Sequence, residues 1–185
     1  MSEDRAGGHS FTGGADRLRS PERLQRLQPD RVVALSAEGL CLRSVLDVGT
    51  GAGVFAEAFA RLGVAAAGVD LRADLLAAAR EYLPSGEFVQ ASAEELPFKE
   101  DSFDLVFLGH VLHEATDALE ALKEARRVAR ERVVVLEWPY RDESHGPPRA
   151  HRLKPEQIER MAEAAGLRNS ERHRVGNMEL YRFKP

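Results

Sequence analysis

Apolar residues recur along this chain in two alternating rhythms. Val45 to Val48, Val64 to Val69, Glu87 to Ala91, Phe103 to Leu108 and Arg132 to Glu137 are short runs with the length and composition of buried strands. Between them the apolar spacing widens to three or four residues. Phe55, Phe59 and Leu62 stand at i, i+4 and i+7 within Val54 to Leu62, which predicts a helix. Leu71 to Leu83, stopped by Pro84, predicts another. Val111 to Ala129 predicts a longer one, with Leu112, Leu119, Leu122 and Val128 on its apolar edge. Strands alternating with helices of this length imply a parallel sheet covered on both faces.

The two ends of the chain read differently. Met1 to Ala15 holds Gly7, Gly8, Gly13 and Gly14 and few large apolar side chains, with His9 and Phe11 as its candidates for docking. Ser20 followed by Pro21 spells a helix start, and a second helix runs from Pro29 to about Glu38 before Gly39. The expected organisation is therefore a flexible arm over residues 1–19 and one domain over 20–185. Beyond the fifth strand, Pro139 to Pro155 reads as a loop and Pro155 to Ala165 as an amphipathic helix stopped by Gly166. Asn169 to Val175 and Met178 to Phe183, with Gly176-Asn177 between them, read as a hairpin.

Composition narrows the function classes. With 185 residues the chain is long enough for one packed domain. The 30 acidic residues outnumber the 26 basic ones, which argues against a nucleic-acid partner bound through bulk charge. A single cysteine, Cys41, allows neither an intrachain disulfide nor a multi-cysteine zinc site. No apolar run approaches the roughly 20 residues that span a bilayer, and the N-terminus lacks the apolar core of a signal peptide. A cytoplasmic protein is expected; oligomeric state is not legible.

The densest chemistry lies in Val45 to Gly53, which reads Val-Leu-Asp-Val-Gly-Thr-Gly-Ala-Gly. A loop leaving a central parallel strand must turn sharply and let a ligand approach its backbone, and glycine permits both. Asp70 follows Gly49 by 21 residues, at the end of the next strand, where an acid can accept hydrogen bonds from ribose hydroxyls. The dinucleotide fingerprint requires a glycine at residue 54, which is Val54, so a nicotinamide oxidoreductase is disfavoured. No Gly-Lys-Ser or Gly-Lys-Thr follows, which excludes a Walker loop. A ligand-free strand–helix turn is the bland alternative for the loop, as is turn or helix capping for Asp47 and Asp70.

These residues, with Gly-Val-Asp-Leu at 68–71, Ala91 to Val106, Leu108 to Ala115 and Glu124 to Val128, resemble the class I S-adenosylmethionine (SAM)-dependent methyltransferases. The likeness is greatest to small members related to the ubiquinone and menaquinone methyltransferases, and it covers about Arg43 to Pro139. It implies a Rossmann-like α/β fold: a seven-stranded, mostly parallel sheet with helices on both faces and the last strand antiparallel. It implies SAM as cofactor, with S-adenosylhomocysteine as product. Gly49, Thr50, Gly51 and Gly53 are then expected beside the methionine part, with Asp47 bracing the loop or reaching the amino group through water. Asp70 is expected at the ribose and Leu71 on the adenine, with Ser92, Ala93 and Glu94 at the adenine edge. Many relatives carry aspartate where Ser92 stands, which weakens that contact. Gly109 and His110 are expected to face the methionine moiety.

His113 and Glu114 are the candidate catalytic residues. His110 and His113, three apart, are expected to share a helix face near the transferring methyl, as general base or substrate-orienting donor. A metal joining these histidines to His145 or His151 is the weaker alternative, and none is expected. Trp138 and Tyr140 can wall a pocket, and the segment around Ser20 can cover the cofactor. The acceptor is expected to be a small molecule. Too few cysteines are present for arsenite chemistry, and no Asn-Pro-Pro-Tyr run marks nucleic-acid methylation. A non-catalytic module that binds SAM or its product is the alternative of another class.

Overall fold

The computed structural model describes residues 13–185. The expectations for His9, Phe11 and the rest of residues 1–12 lie outside them. The helices are α1 (Ala15–Leu18), α2 (Pro21–Leu27), α3 (Pro29–Ala37), α4 (Val54–Arg61), α5 (Ala73–Tyr82), α6 (Ala118–Val128) and α7 (Pro155–Ala164). The strands are β1 (Ser44–Val48), β2 (Ala65–Asp70), β3 (Glu87–Gln90), β4 (Phe103–Gly109), β5 (Ala129–Glu137), β6 (Arg168–Val175) and β7 (Met178–Lys184). They form one seven-stranded sheet in the order β3-β2-β1-β4-β5-β7-β6. β1 pairs in parallel with both β2 and β4, and β7 runs antiparallel to β5 and β6. This is the Rossmann-like arrangement expected, with the hairpin placing β7 inside the sheet and β6 at its edge.

Side chains of the central strands alternate between two cores, as the two-residue period requires. Val106, Leu108, Val133 and Val135 pack with Leu122 and Ala125 of α6 and Ile158 and Ala162 of α7. Leu105, Phe107, Val134 and Leu136 pack on the other face with Val33 of α3 and Phe55 and Phe59 of α4. Phe107 holds Phe55 and Phe59 at ring-centroid distances of 4.8 and 5.7 Å. Val45 shares this second core, so Asp47, two residues on, points toward α4. Strand order reverses between β1 and β4, and in an open α/β sheet the crevice beyond the strand carboxyl ends at that point is where ligands bind.

Two departures from the sequence reading matter for function. The helix expected over Val111 to Ala129 begins only at Ala118. Asp117 caps it by accepting the Glu120 N–H at 3.0 Å, and Glu94 accepts the N–H groups of Thr116 and Asp117 at 2.9 and 3.3 Å. That carboxylate satisfies the donors of residues that would otherwise extend the helix backwards, so residues 111–117 form a loop. The second departure is α1, a short helix inside the stretch read as a flexible arm.

Opposite the crevice, Asp104 ties the starts of β1, β4 and β5 together. It is 1% exposed and accepts the N–H groups of Arg43 and Ser44 at 2.8 and 3.1 Å and the Arg130 guanidinium at 2.9 Å. Burial alone raises its pKa, but these donors outweigh it and leave it below the ordinary aspartate value. A depressed carboxylate pKa contributes stability above the unfolded value near 3.9, lost as pH falls through the folded one. Asp104→Asn is expected to cost about 1–3 kcal/mol in urea unfolding at pH 7. The difference from wild type should close on acidification below about pH 4.

Candidate active site

At the end of β1 the backbone turns into the left-handed region at Gly49, with φ +66°. A Cβ there would stand 2.3 Å from Val111 Cγ2, so glycine is required both for the turn and for the approach of the loop beyond β4. Thr50 donates its N–H to the Val69 carbonyl at 2.9 Å. Asp47 Oδ2 accepts the Thr50 hydroxyl at 2.8 Å and the Ala56 N–H, in the first turn of α4, at 3.0 Å. Asp47 thus braces the loop, as one of the two expected roles demands. Burial pushes its carboxyl up to about 7, against those two hydrogen bonds and with help from the charge of Asp70.

Asp70 closes β2 and reaches the same loop. Its Oδ2 accepts the Gly51 N–H at 2.8 Å and its Oδ1 the Arg72 N–H at 2.9 Å. It is not the N-cap of α5, a position taken by Arg72. Leu71 beside it is 64% exposed, an apolar side chain presented at the carboxyl edge. Gly53 is the N-cap of α4, with φ +74°. Ser92 donates its hydroxyl to Glu94, and Glu94 is committed to the 111–117 loop. Ala93 is half-buried on the same turn. Sequence reading did not anticipate that Glu94 links this edge of the site to the histidine loop.

The N-terminal helices cover the glycine loop. Leu18 Cδ1 lies 3.0 Å from where a Cβ of Gly51 would stand. Arg19 donates to the Ala52 carbonyl at 2.7 Å, pairs with Glu57 and lies over the Tyr82 ring at 3.6 Å. Arg72 donates to the Gly13 carbonyl at 2.6 Å.

Beyond β4 the structure revises the chemistry. Gly109 ends the strand, and His110 turns left-handed at φ +62° while its N–H still reaches the Leu136 carbonyl at 2.8 Å. The His110 ring packs on Trp138 at 4.9 Å between centroids, and both of its nitrogens are buried without a hydrogen-bond partner among the described residues. His110 and His113 stand on a loop rather than a shared helix face. His113 Nδ1 lies 2.8 Å from Glu137 Oε2, while His113 Nε2 is 3.7 Å from Glu114 Oε1, beyond hydrogen-bond range. The Glu137 side chain is 1% exposed and that of His113 5%. Burial lowers the His113 pKa, but Glu137 outweighs it, by its charge and by the hydrogen bond, and holds it above the ordinary histidine value.

The loop after β5 walls this region. Arg152, 4% exposed, gathers the loop by donating to the carbonyls of Pro139, His145 and Pro147 at 3.0, 2.6 and 2.8 Å and by pairing with Glu143 at 3.0 Å. Gly146, at φ +80°, lies so close to the Trp138 indole that a Cβ would meet it at 2.7 Å. A cavity of about 170 Å³ lies beside Trp138, lined also by Arg26, Glu143, Ser144, His145 and Asn177. Tyr140, two residues after Trp138, is 39% exposed. Nothing in the local pattern marks Arg152, because its partners are backbone carbonyls.

Among the described residues no group of three or more His, Cys, Asp or Glu side chains could hold a metal ion. No helix of the described residues is long and apolar enough to cross a membrane.

Comparison with known proteins bears on the family and the fold. The family model described as a methyltransferase domain matches residues 46–136. The ubiquinone/menaquinone biosynthesis C-methyltransferase of Hahella chejuensis is 40% identical over 107 residues, which cover 51% of this chain and 43% of that protein. The demethylmenaquinone methyltransferase of Chlorobaculum tepidum is 38% identical over 85 residues, 45% of this chain and 35% of its own. The chain thus spans less than half the length of these two relatives. A SAM-dependent methyltransferase structure from Aquifex aeolicus superposes with a TM-score of 0.79 over 91% of this chain and 94% of that one, at 22% identity. The chain belongs to the class I SAM-dependent methyltransferase family.

His110 makes the site sensitive to acid. Burial, then the nearby charges of Arg23, His113 and Arg152, hold its pKa well below the ordinary 6.5. The native state keeps it neutral while the unfolded chain takes up a proton below about pH 6.5, so its contribution destabilises the fold as pH drops. His113, with its pKa raised, acts in the opposite direction. His110→Asn tolerates the left-handed backbone. Relative to wild type it is expected to gain at most about 2 kcal/mol between pH 6.5 and pH 5, measured by denaturant titration.

Proposed function

We propose that this chain transfers a methyl group from SAM to a small-molecule acceptor held at the carboxyl ends of β1, β4 and β5. The observation that carries the reading is the glycine loop braced by Asp47 and bonded to Asp70 at the switch point, within a chain of this family. The bound cofactor supplies a methyl activated by a sulfonium. The protein's part is to align the two reactants and exclude water.

Residue roles follow by family likeness and local chemistry. Gly49, Thr50, Gly51 and Gly53 hold the methionine part, with Gly109 and His110 facing it from β4. Asp70 receives the ribose hydroxyls. Its oxygens each accept one backbone N–H and retain lone pairs for more. Exposed Leu71 packs on the adenine, and Ser92, Ala93 and Glu94 lie at its edge. Asp47 interacts with the amino group, and α1 and α2 act as the cover. His113 serves as proton acceptor beside Glu114. The names of the quinone-related relatives point to an aromatic acceptor, carried here as analogy.

Calorimetry with SAM, S-adenosylhomocysteine and NADH tests the cofactor. Micromolar binding of both adenosyl ligands, weakened about tenfold or more in Asp70→Asn, is expected. Absence of binding to the folded protein, or tighter binding of NADH, overturns the reading. Binding of both adenosyl ligands without turnover on any acceptor leaves a binding module.

Asp47 gives an independent signature. With its carboxyl pushed up to about 7, Asp47 is partly protonated in the free protein near neutral pH. A ligand ammonium favours the ionised form. S-adenosylhomocysteine binding is therefore expected to release a proton below about pH 7 and to tighten between pH 6 and pH 7. Both effects should vanish in Asp47→Asn, read by calorimetry in buffers of different ionisation enthalpy.

A further inference from the structure

We propose that the cavity of about 170 Å³ beside Trp138 is a binding site for a small organic carboxylate, with Arg26 as the residue that pairs with the anion. The assignment rests on the cavity's own walls and charges and stands apart from the methyl-transfer reading.

Three separate stretches of chain close on the cavity. Arg26 comes from the last turn of α2, Trp138 and residues 143–145 from the loop after β5, and Asn177 from the turn between β6 and β7. Each wall is pinned in place. Arg152 gathers the loop through the carbonyls of Pro139, His145 and Pro147, and Gly146 lies against the indole. The β6–β7 turn rests on the end of α2, where a Cβ on Gly176 would stand 3.0 Å from Gln28 Nε2. A site held in this way is formed before its ligand arrives, which lowers the ordering cost of binding.

The charges around the cavity do not cancel. Glu143 is the carboxylate among its lining residues, and both of its oxygens are committed. Oε1 accepts from the Arg141 guanidinium at 3.0 and 2.8 Å, and Oε2 accepts from Arg152 at 3.0 Å. Burial raises the Glu143 pKa, but these two guanidiniums outweigh it and hold it below the ordinary glutamate value. Arg26 has no hydrogen bond or ion pair among the described residues, to Glu143 or to any other group. Its charge is felt nearby. Burial, then the charges of Arg26 and Arg17, hold the Arg23 pKa below the ordinary arginine value, with Glu114 acting in the opposite direction. Carbonyl oxygens repel an anion, and those of the loop are engaged elsewhere. Arg152 takes three of them, and His145 Nδ1 lies 2.7 Å from that of Ser144.

One uncompensated guanidinium suits a monoanion, and its planar fork matches the two oxygens of a carboxylate. The Ser144 hydroxyl and the Asn177 amide add neutral donors. The Trp138 indole offers a flat apolar wall to the rest of the molecule. The cavity is smaller than the roughly 300–1,000 Å³ of pockets for drug-sized ligands, so the occupant is on the scale of one ring bearing a carboxylate.

Trp138 is the single tryptophan of the chain, so its fluorescence reports on this cavity directly. The full chain is titrated with benzoate, with benzamide as the neutral counterpart and with inorganic phosphate as an anion that lacks an apolar body. Benzoate is expected to give a saturable change, with benzamide weaker by about tenfold or more. Arg26→Gln is expected to weaken benzoate by about tenfold or more and to leave the benzamide response unchanged. Asn177→Asp places a second carboxylate at the cavity from an exposed turn, and it is expected to weaken benzoate as well. That variant decides the matter if Arg26→Gln does not fold.

No response to benzoate, equal affinity for benzoate and benzamide, or a benzoate affinity unchanged in the folded variants overturns the site. Phosphate binding tighter than benzoate overturns the carboxylate class. The readout needs neither SAM nor turnover. Absence of SAM binding by calorimetry therefore removes the methyltransferase reading and leaves the benzoate titration to decide the cavity.

Discussion

Asp47 lies out of reach of water at the end of β1 and holds the Thr50 hydroxyl and the Ala56 N–H at once. The path of the glycine loop and the start of α4 depend on that bond pair. The arrangement is costly: a carboxylate is desolvated, and its pKa rises to about 7 in consequence. The sheet places it there because Asp47 shares a face with Val45, and that face is the one α4 covers. Ordinary strand alternation thus aims a polar group into a core, under the glycine loop.

The same device recurs along the carboxyl edge of the sheet. Asp70 accepts N–H groups from the glycine loop and from its own turn, Glu94 from the loop beyond β4, and Glu137 from that loop and from Trp138. Each carboxylate satisfies backbone donors that loops otherwise leave unpaired, a requirement for any loop folded against the body of a protein. Asp70 thereby ties the loops after β1 and β2, and Glu94 and Glu137 tie the loop after β4 to the segments after β3 and β5. The loop after β5 uses the complementary solution, a buried guanidinium that collects carbonyls. The carboxyl edge is a mesh of backbone groups held by side-chain charges.

Two histidines only three residues apart acquire opposite character from it. His110 is buried among cations, without a hydrogen-bond partner among the described residues, and stays neutral. His113 is buried against a carboxylate that holds its pKa above the ordinary histidine value. Their sequence environments hardly differ. The difference comes from the end of β5, which presents Trp138 to one ring and Glu137 to the other.

The sequence by itself determined the sheet, most helix boundaries and the glycine loop. These rest on local signals: a period of two or about four, a proline or glycine at an end, and glycines where the backbone must turn left-handed at Gly49. The placement of Asp47, Asp70 and His113 was legible for the same reason, since each stands at the end of a readable strand or in the loop that follows. Tertiary structure alone decided what those residues touch. Glu137 meets His113 across 24 residues, and Glu94 reaches Thr116 across 22, ending α6 short of the histidines that periodicity had placed upon it. A hydrophobic period records which face of an element is buried. It carries no record of which distant side chain supplies the hydrogen bond, because that depends on strand order and register, fixed only when the whole sheet assembles.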